Sequence, residues 1–141
     1  SVGWGGAMSG PAGHDRLERG RELARLHLGE GVIERWRELS PDLEELTSGF
    51  GFGDLWSRPG LSRRDRAIVA MAITATLRAR TQLEWHVRGA LGAGVTPDEV
   101  REVLIAVAGL AGFPAAWSAL EAAEPILAEH SAAGAGEGGA G

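Results

Sequence analysis

At 141 residues, with 44% hydrophobic and 23% charged residues, the chain has the size and balance of one globular domain burying about two thirds of its unfolded surface. A net charge of -5 gives no support for nucleic acid as the main partner, and no apolar run approaches the ~20 residues of a membrane span. There is no cysteine, tyrosine or lysine, which excludes disulfides, thiolate metal sites, thiol redox chemistry and lysine Schiff bases; the expected location is cytoplasmic.

The two ends differ from the middle. Residues 1–13 are glycine-rich and aperiodic, and residues 131–141 are almost entirely alanine and glycine, so both read as flexible tails around a domain spanning 14–130. Inside it, the apolar spacing predicts helices throughout and no strand. Leu17, Leu23, Leu26 and Leu28 mark a first helix over 15–28, ended by Gly29. Val32, Ile33, Trp36 and Leu39 mark a second, stopped by Ser40-Pro41; Pro41 then opens a short helix with Leu43 and Leu46 facing inward. Residues 49–60, rich in glycine and aromatics, read as a loop.

Ser62-Arg63-Arg64-Asp65 reads as a capping box ahead of Ile68, Val69, Ala72, Ile73 and Leu77. Thr81 is the expected cap of the next helix, which runs to Gly92–Gly94. Thr96-Pro97-Asp98-Glu99 is a second capping box, and its helix ends at Gly112-Phe113-Pro114. Trp117, Leu120 and Leu127 define the last helix, in which Pro125 is expected to force a kink or an early stop.

The most informative residue is His86. In the helix that carries it, Leu83, Val87, Ala90 and Leu91 form the core stripe, while Gln82, His86, Gly89 and Ala93 line up beside it. A titratable ring flanked by an amide and two very small residues has room for a ligand; the alternative is a core histidine satisfied by a backbone carbonyl. The other histidines offer no metal-ligand spacing, and no metal is expected.

Four blocks carry a family resemblance. Gly53-Asp54-Leu55-Trp56-Ser57-Arg58-Pro59-Gly60-Leu61, Leu83-Glu84-Trp85-His86-Val87-Arg88-Gly89-Ala90, Gly94-Val95-Thr96-Pro97-Asp98-Glu99-Val100-Arg101-Glu102-Val103-Leu104 and Ala111-Gly112-Phe113-Pro114-Ala115-Ala116 resemble the gamma-carboxymuconolactone decarboxylase family, over about Arg19 to Leu127. The wider alkylhydroperoxidase-D-like superfamily has a redox branch with two cysteines before the histidine; here those places hold Gln82 and Trp85, so peroxidase chemistry is excluded.

The resemblance implies an all-α, alkylhydroperoxidase-D-like helical domain assembled as a homotrimer or homohexamer. It also implies a cofactor-free decarboxylase acting on a small carboxylate or lactone, as in loss of carbon dioxide from 4-carboxymuconolactone in protocatechuate catabolism. His86 then falls where the family's active-site histidine sits, as proton donor or oxyanion stabiliser, with Gln82 one turn before it. Arg58 is the candidate carboxylate clamp, since guanidinium grips carboxylate with two prongs; its alternative is a structural arginine. Arg88, Trp56, Trp85 and Trp117 complete the candidate substrate-binding set, each with a helix-surface, core or subunit-contact role as its alternative.

The chain departs from the family pattern in four places. Gln82 stands where a carboxylate is usual, Val32 replaces an early histidine, Leu110 replaces a tyrosine, and Trp117 occupies a position more often small or polar. These changes leave two alternatives to the lactone decarboxylase: a cofactor-free isomerase, cyclase or decarboxylase of a more apolar metabolite, and a non-catalytic scaffold homologue.

Overall fold

The structure, a computed structural model, describes residues 11–138; residues 1–10 and 139–141 of the expected tails lie outside the described residues. The described residues are all-α, and the chain divides into two compact units, one up to Leu61 and one from Ser62 onward.

The first unit holds α1 (Pro11–Leu28), α2 (Val32–Leu39), α3 (Pro41–Leu46) and a π-helical segment (Thr47–Trp56). Gly29, in the left-handed region at φ 111°, ends α1, and its N–H donates to the Arg25 carbonyl at 2.9 Å. Ser40 serves two helices. Its N–H closes α2 on the Trp36 carbonyl at 2.8 Å, and its hydroxyl accepts from the Leu43 N–H at 3.2 Å to open α3. Ala24, Val32, Ile33 and Phe52 form the core, with Leu23, Leu28, Trp36 and Trp56 packed against it.

The segment expected as a loop over 49–60 is instead helical as far as Trp56. Its glycines let it lie directly on α1. A Cβ added at Gly20 would stand 1.7 Å from the Ser48 carbonyl oxygen, and one at Gly53 would stand 2.7 Å from that of Arg16. Backbone meets backbone here, and only glycine fits.

A second correction concerns α3. Leu43 and Leu46, expected to face inward, are exposed, and Glu44 is the buried residue at 1% exposure. Arg21 reaches across from α1 with Nη2 2.8 Å and Nε 3.0 Å from Glu44 Oε1, and Arg37 Nε lies 2.9 Å from the same oxygen. Burial pushes the Glu44 carboxyl up, but the hydrogen bonds from Arg21, with Ser48 and Arg37 beside it, outweigh burial and leave it below the usual carboxylate range.

The second unit holds α4 (Arg63–Thr76), α5 (Arg80–Gly92), α6 (Pro97–Ala111) and α7 (Phe113–Glu137). The Ser62 hydroxyl caps α4 by accepting from the Asp65 N–H at 3.0 Å. Thr96 and Glu99 form the full reciprocal capping box of α6. Thr81 does not cap α5: the helix begins two residues earlier than such a cap implies, at Arg80 after Ala79, with no side-chain cap. Nor does Pro125 stop α7, which runs to Glu137 and takes residues 131–137 into the helix instead of a tail. The buried face of α4 is Ala67, Met71 and Ala75, while Val69, Ile73 and Leu77, among the apolar residues that mark this helix in the sequence, are exposed. Small residues let the helices of this unit pack closely. Ion pairs tie its edges, with Arg64 on Glu99 and Arg101 Nε 2.8 Å from Glu124.

These contacts set opposite expectations for two glycines. Gly20→Ala drives a methyl into the Ser48 carbonyl and is expected to cost about 3 kcal/mol or more, at the upper end of overpacking. Gly109, in α6 with nothing within 4 Å of an added Cβ, is expected to gain ~0.5–1 kcal/mol as Gly109→Ala. Urea denaturation monitored by helical circular dichroism checks both.

Candidate active site

The site is built on α5. Leu83, Val87 and Ala90, spaced four and three residues apart, are buried and fix which way the helix faces. His86 lies beside that stripe and is partly buried, with the buried Gly89 adding no side chain next to it. Gln82, one turn earlier, is exposed, and Trp85 is partly buried. Burial pushes the His86 imidazole down from its ordinary 6.5 to about 4. At neutral pH the ring is therefore uncharged, one nitrogen a donor and the other an acceptor.

The charged groups of α5 are engaged with each other or with α7. Arg80 Nε pairs with Glu84 at 3.0 Å, and Arg88 Nη1 approaches Glu129 at 3.5 Å. Trp117 lies on α7 with 65% of its surface exposed.

Arg58 and Trp56 belong to the first unit, whereas His86, Gln82, Trp85, Arg88 and Trp117 belong to the second. Arg58 is exposed just beyond the π-helical segment, its N–H donating to the Leu55 carbonyl at 3.3 Å. Trp56 packs among aromatic rings, 5.3 Å from Phe52 and 4.3 Å from His27.

Two residues stand out that sequence reasoning did not single out. His27 is buried, completing a stripe with Leu17, Gly20 and Ala24 whose spacing was available in the sequence. Glu44 gave no such signal, because its partner Arg21 is 23 residues away. Among the described residues no group of three or more histidines, cysteines, aspartates and glutamates is placed to hold a metal ion.

Residues 41–125 match the family model described as the carboxymuconolactone decarboxylase family. The chain belongs to that family. It is 34% identical over 116 residues to a 4-carboxymuconolactone decarboxylase of Acinetobacter baylyi, covering 79% of this chain and 87% of that protein. It is 31% identical over 122 residues to a nitrosuccinic acid decarboxylase of Metarhizium robertsii, covering 80% of this chain and 85% of that one. Both relatives are decarboxylases, which supports carboxy-lyase activity on a small-molecule substrate for this family member. No helix among the described residues is long and apolar enough to cross a membrane.

The depressed His86 pKa fixes the sign of a pH effect. Between 6.5 and about 4 the unfolded chain binds a proton that the folded ring refuses. Stability associated with His86 is therefore complete above 6.5 and falls as pH drops toward 4, by about 3 kcal/mol at the limit. We expect His86→Asn to flatten the denaturation midpoint against pH over this window, and the histidine NMR resonances to place one titration near 4.

Proposed function

We propose that this protein is a cofactor-independent decarboxylase of small, activated dicarboxylic acids or their lactones, with His86 as the oxyanion donor. The observation that carries the reading is the desolvated, neutral imidazole on α5 of a chain in this family. The substrates named for the two relatives share one chemical feature. Loss of carbon dioxide leaves an electron pair that an acceptor already in the molecule takes up, the unsaturated lactone in one and the nitro group in the other. Such a molecule carries its own electron sink. When the carbon–carboxylate bond breaks, its electron pair delocalises onto oxygen, and a proton drawn ultimately from solvent replaces carbon dioxide on carbon.

What the protein must add is a donor toward that oxygen in a dry setting, where one preorganised hydrogen bond is worth about 3–4 kcal/mol. A neutral imidazole N–H supplies this without the desolvation cost of carrying charge. Of the two roles expected for His86, the low pKa favours oxyanion stabilisation over donation from a standing imidazolium. Gln82 is proposed to orient the ring. Arg58 is proposed as a carboxylate-binding cation, supported by its exposure and by its place in the Trp56–Leu61 segment within the matched region.

The test is kinetic, with 4-carboxymuconolactone and nitrosuccinate as substrates. His86→Ala is expected to lower kcat/KM about 100- to 1,000-fold, the loss typical of one oxyanion donor, while Arg58→Ala raises KM. The native rate is expected to hold as pH falls through 6.5 and to decline only toward 4. Gln82→Glu places a carboxylate one turn away, raises the imidazole pKa and moves that decline to higher pH. A fully active His86→Ala, with a pH profile unchanged in Gln82→Glu, overturns the assignment.

We also propose a homotrimer or homohexamer. Leu110 is 97% exposed, and Phe113, Trp117, Leu77 and Ile73 are exposed as well, a large apolar total for one small chain. Light scattering is expected to return three or six chain masses at micromolar concentration. A monomer mass contradicts the proposal.

A further inference from the structure

His27, in the last turn of α1, is buried at 2% exposure, and the decarboxylase reading gives it no role. Its ring lies 4.3 Å from the Trp56 ring, tilted by 43°. Phe52 stacks on the same indole at 5.3 Å. Phe52 shares the π-helical segment with Trp56 and moves with it, whereas His27 belongs to α1 and ties the indole to a different element.

What Trp56 anchors is the end of that segment. Of residues 54–61, Asp54 and Trp56 are partly buried and the others are exposed. Asp54 is held on α1 by Arg16 at 3.1 Å, and Trp56 is the apolar side chain of this stretch that packs against the core. Beyond it the chain is held locally. The Ser57 hydroxyl donates to the Gly53 carbonyl, and the Arg58 N–H donates to the Leu55 carbonyl at 3.3 Å. Both bonds close back on the same segment, so the direction in which Arg58 leaves the fold follows the setting of Trp56.

We propose that His27 is a positioning residue that acts through Trp56 to aim Arg58 for carboxylate binding. The inference rests on the role proposed above for Arg58. A guanidinium on a loosely held turn must be ordered each time it grips a carboxylate, and that ordering weakens binding. Filling space does not account for the imidazole, because an aliphatic chain is cheaper to bury. Leu17 does that work in the same stripe, with Gly20 and Ala24 between. A planar ring gives the indole a flat face to rest on, which limits its rotation more than a branched chain does.

The test is a double-mutant cycle on the intact chain, with 4-carboxymuconolactone and nitrosuccinate as substrates. His27→Ala is expected to raise KM about fivefold or more with kcat kept, and to add nothing in the Arg58→Ala background. His27→Phe keeps a planar ring and is expected to restore the native KM. His27→Leu is expected to behave as His27→Ala does, and it carries the test where the alanine variant does not fold. Amide exchange over residues 55–58 needs no substrate; it is expected to quicken about tenfold in His27→Ala or His27→Leu and to stay native in His27→Phe. Additive effects of His27→Ala and Arg58→Ala, a native KM or native exchange in His27→Leu, or no rescue by His27→Phe each overturns the proposal. A failure of the decarboxylase reading appears without any His27 variant, as native protein inert toward both substrates or a native KM in Arg58→Ala, and it removes this inference with it.

Discussion

The first unit depends on two backbones lying against each other without side chains between them. At Gly20 and Gly53, α1 and the π-helical segment approach so closely that an added Cβ meets a carbonyl oxygen. The glycines along the segment make this approach sterically open, and the wider π winding sets the partners that the approach brings together. With the two elements locked, Phe52 and Trp56 meet Ala24, His27 and Ile33 on one side. Ser48 is fully enclosed beside Glu44.

The Glu44 cluster follows from the same geometry. A carboxylate at 1% exposure is expensive unless its oxygens are fully engaged. Arg21 from α1 and Arg37 from α2 converge on Oε1, and Arg21 also holds Glu18 at 2.8 Å, so the charges alternate across three helices. Such a network adds little net stability over a well-packed apolar cluster. It does add direction, because only one register of α3 against α1 brings Glu44 to Arg21. Burying the flanking Leu43 or Leu46 instead would leave a buried guanidinium without its partner.

Much of this was legible in the sequence, and the failures share a cause. The capping box at Thr96 formed as read and Ser62 supplies the hydroxyl half of its own, because a cap is decided within four residues, whereas Thr81 does not cap α5. Helix type and order were legible from spacing. Facing was not legible wherever a helix had two plausible faces: α4 offers both Ala67-Met71-Ala75 and Val69-Ile73-Leu77, and close packing selects the small one. The 49–60 segment failed because its glycines signal a loop locally, and only contact with α1 turns them into helix. Residues 131–137 failed similarly, with alanine helicity outweighing tail-like composition. At the candidate site, spacing and small neighbours mark His86 in the sequence as a candidate. The sequence does not give its protonation state, which depends on how much water the fold removes from around the ring.

That last quantity connects fold to chemistry. A histidine at its ordinary pKa is a mixture of acid and base near neutrality, whereas one held near 4 is a single species. The usual way to hold a histidine charged is a carboxylate one turn away, and this chain has the neutral Gln82 there. Burial keeps the ring a neutral hydrogen-bond donor, and Gln82 places no carboxylate one turn away to oppose it. A decarboxylation whose substrate accepts its own electron pair calls for such a donor, since the breaking bond sends charge onto an oxygen. The amide at position 82 is then compatible with the carboxy-lyase role proposed for His86.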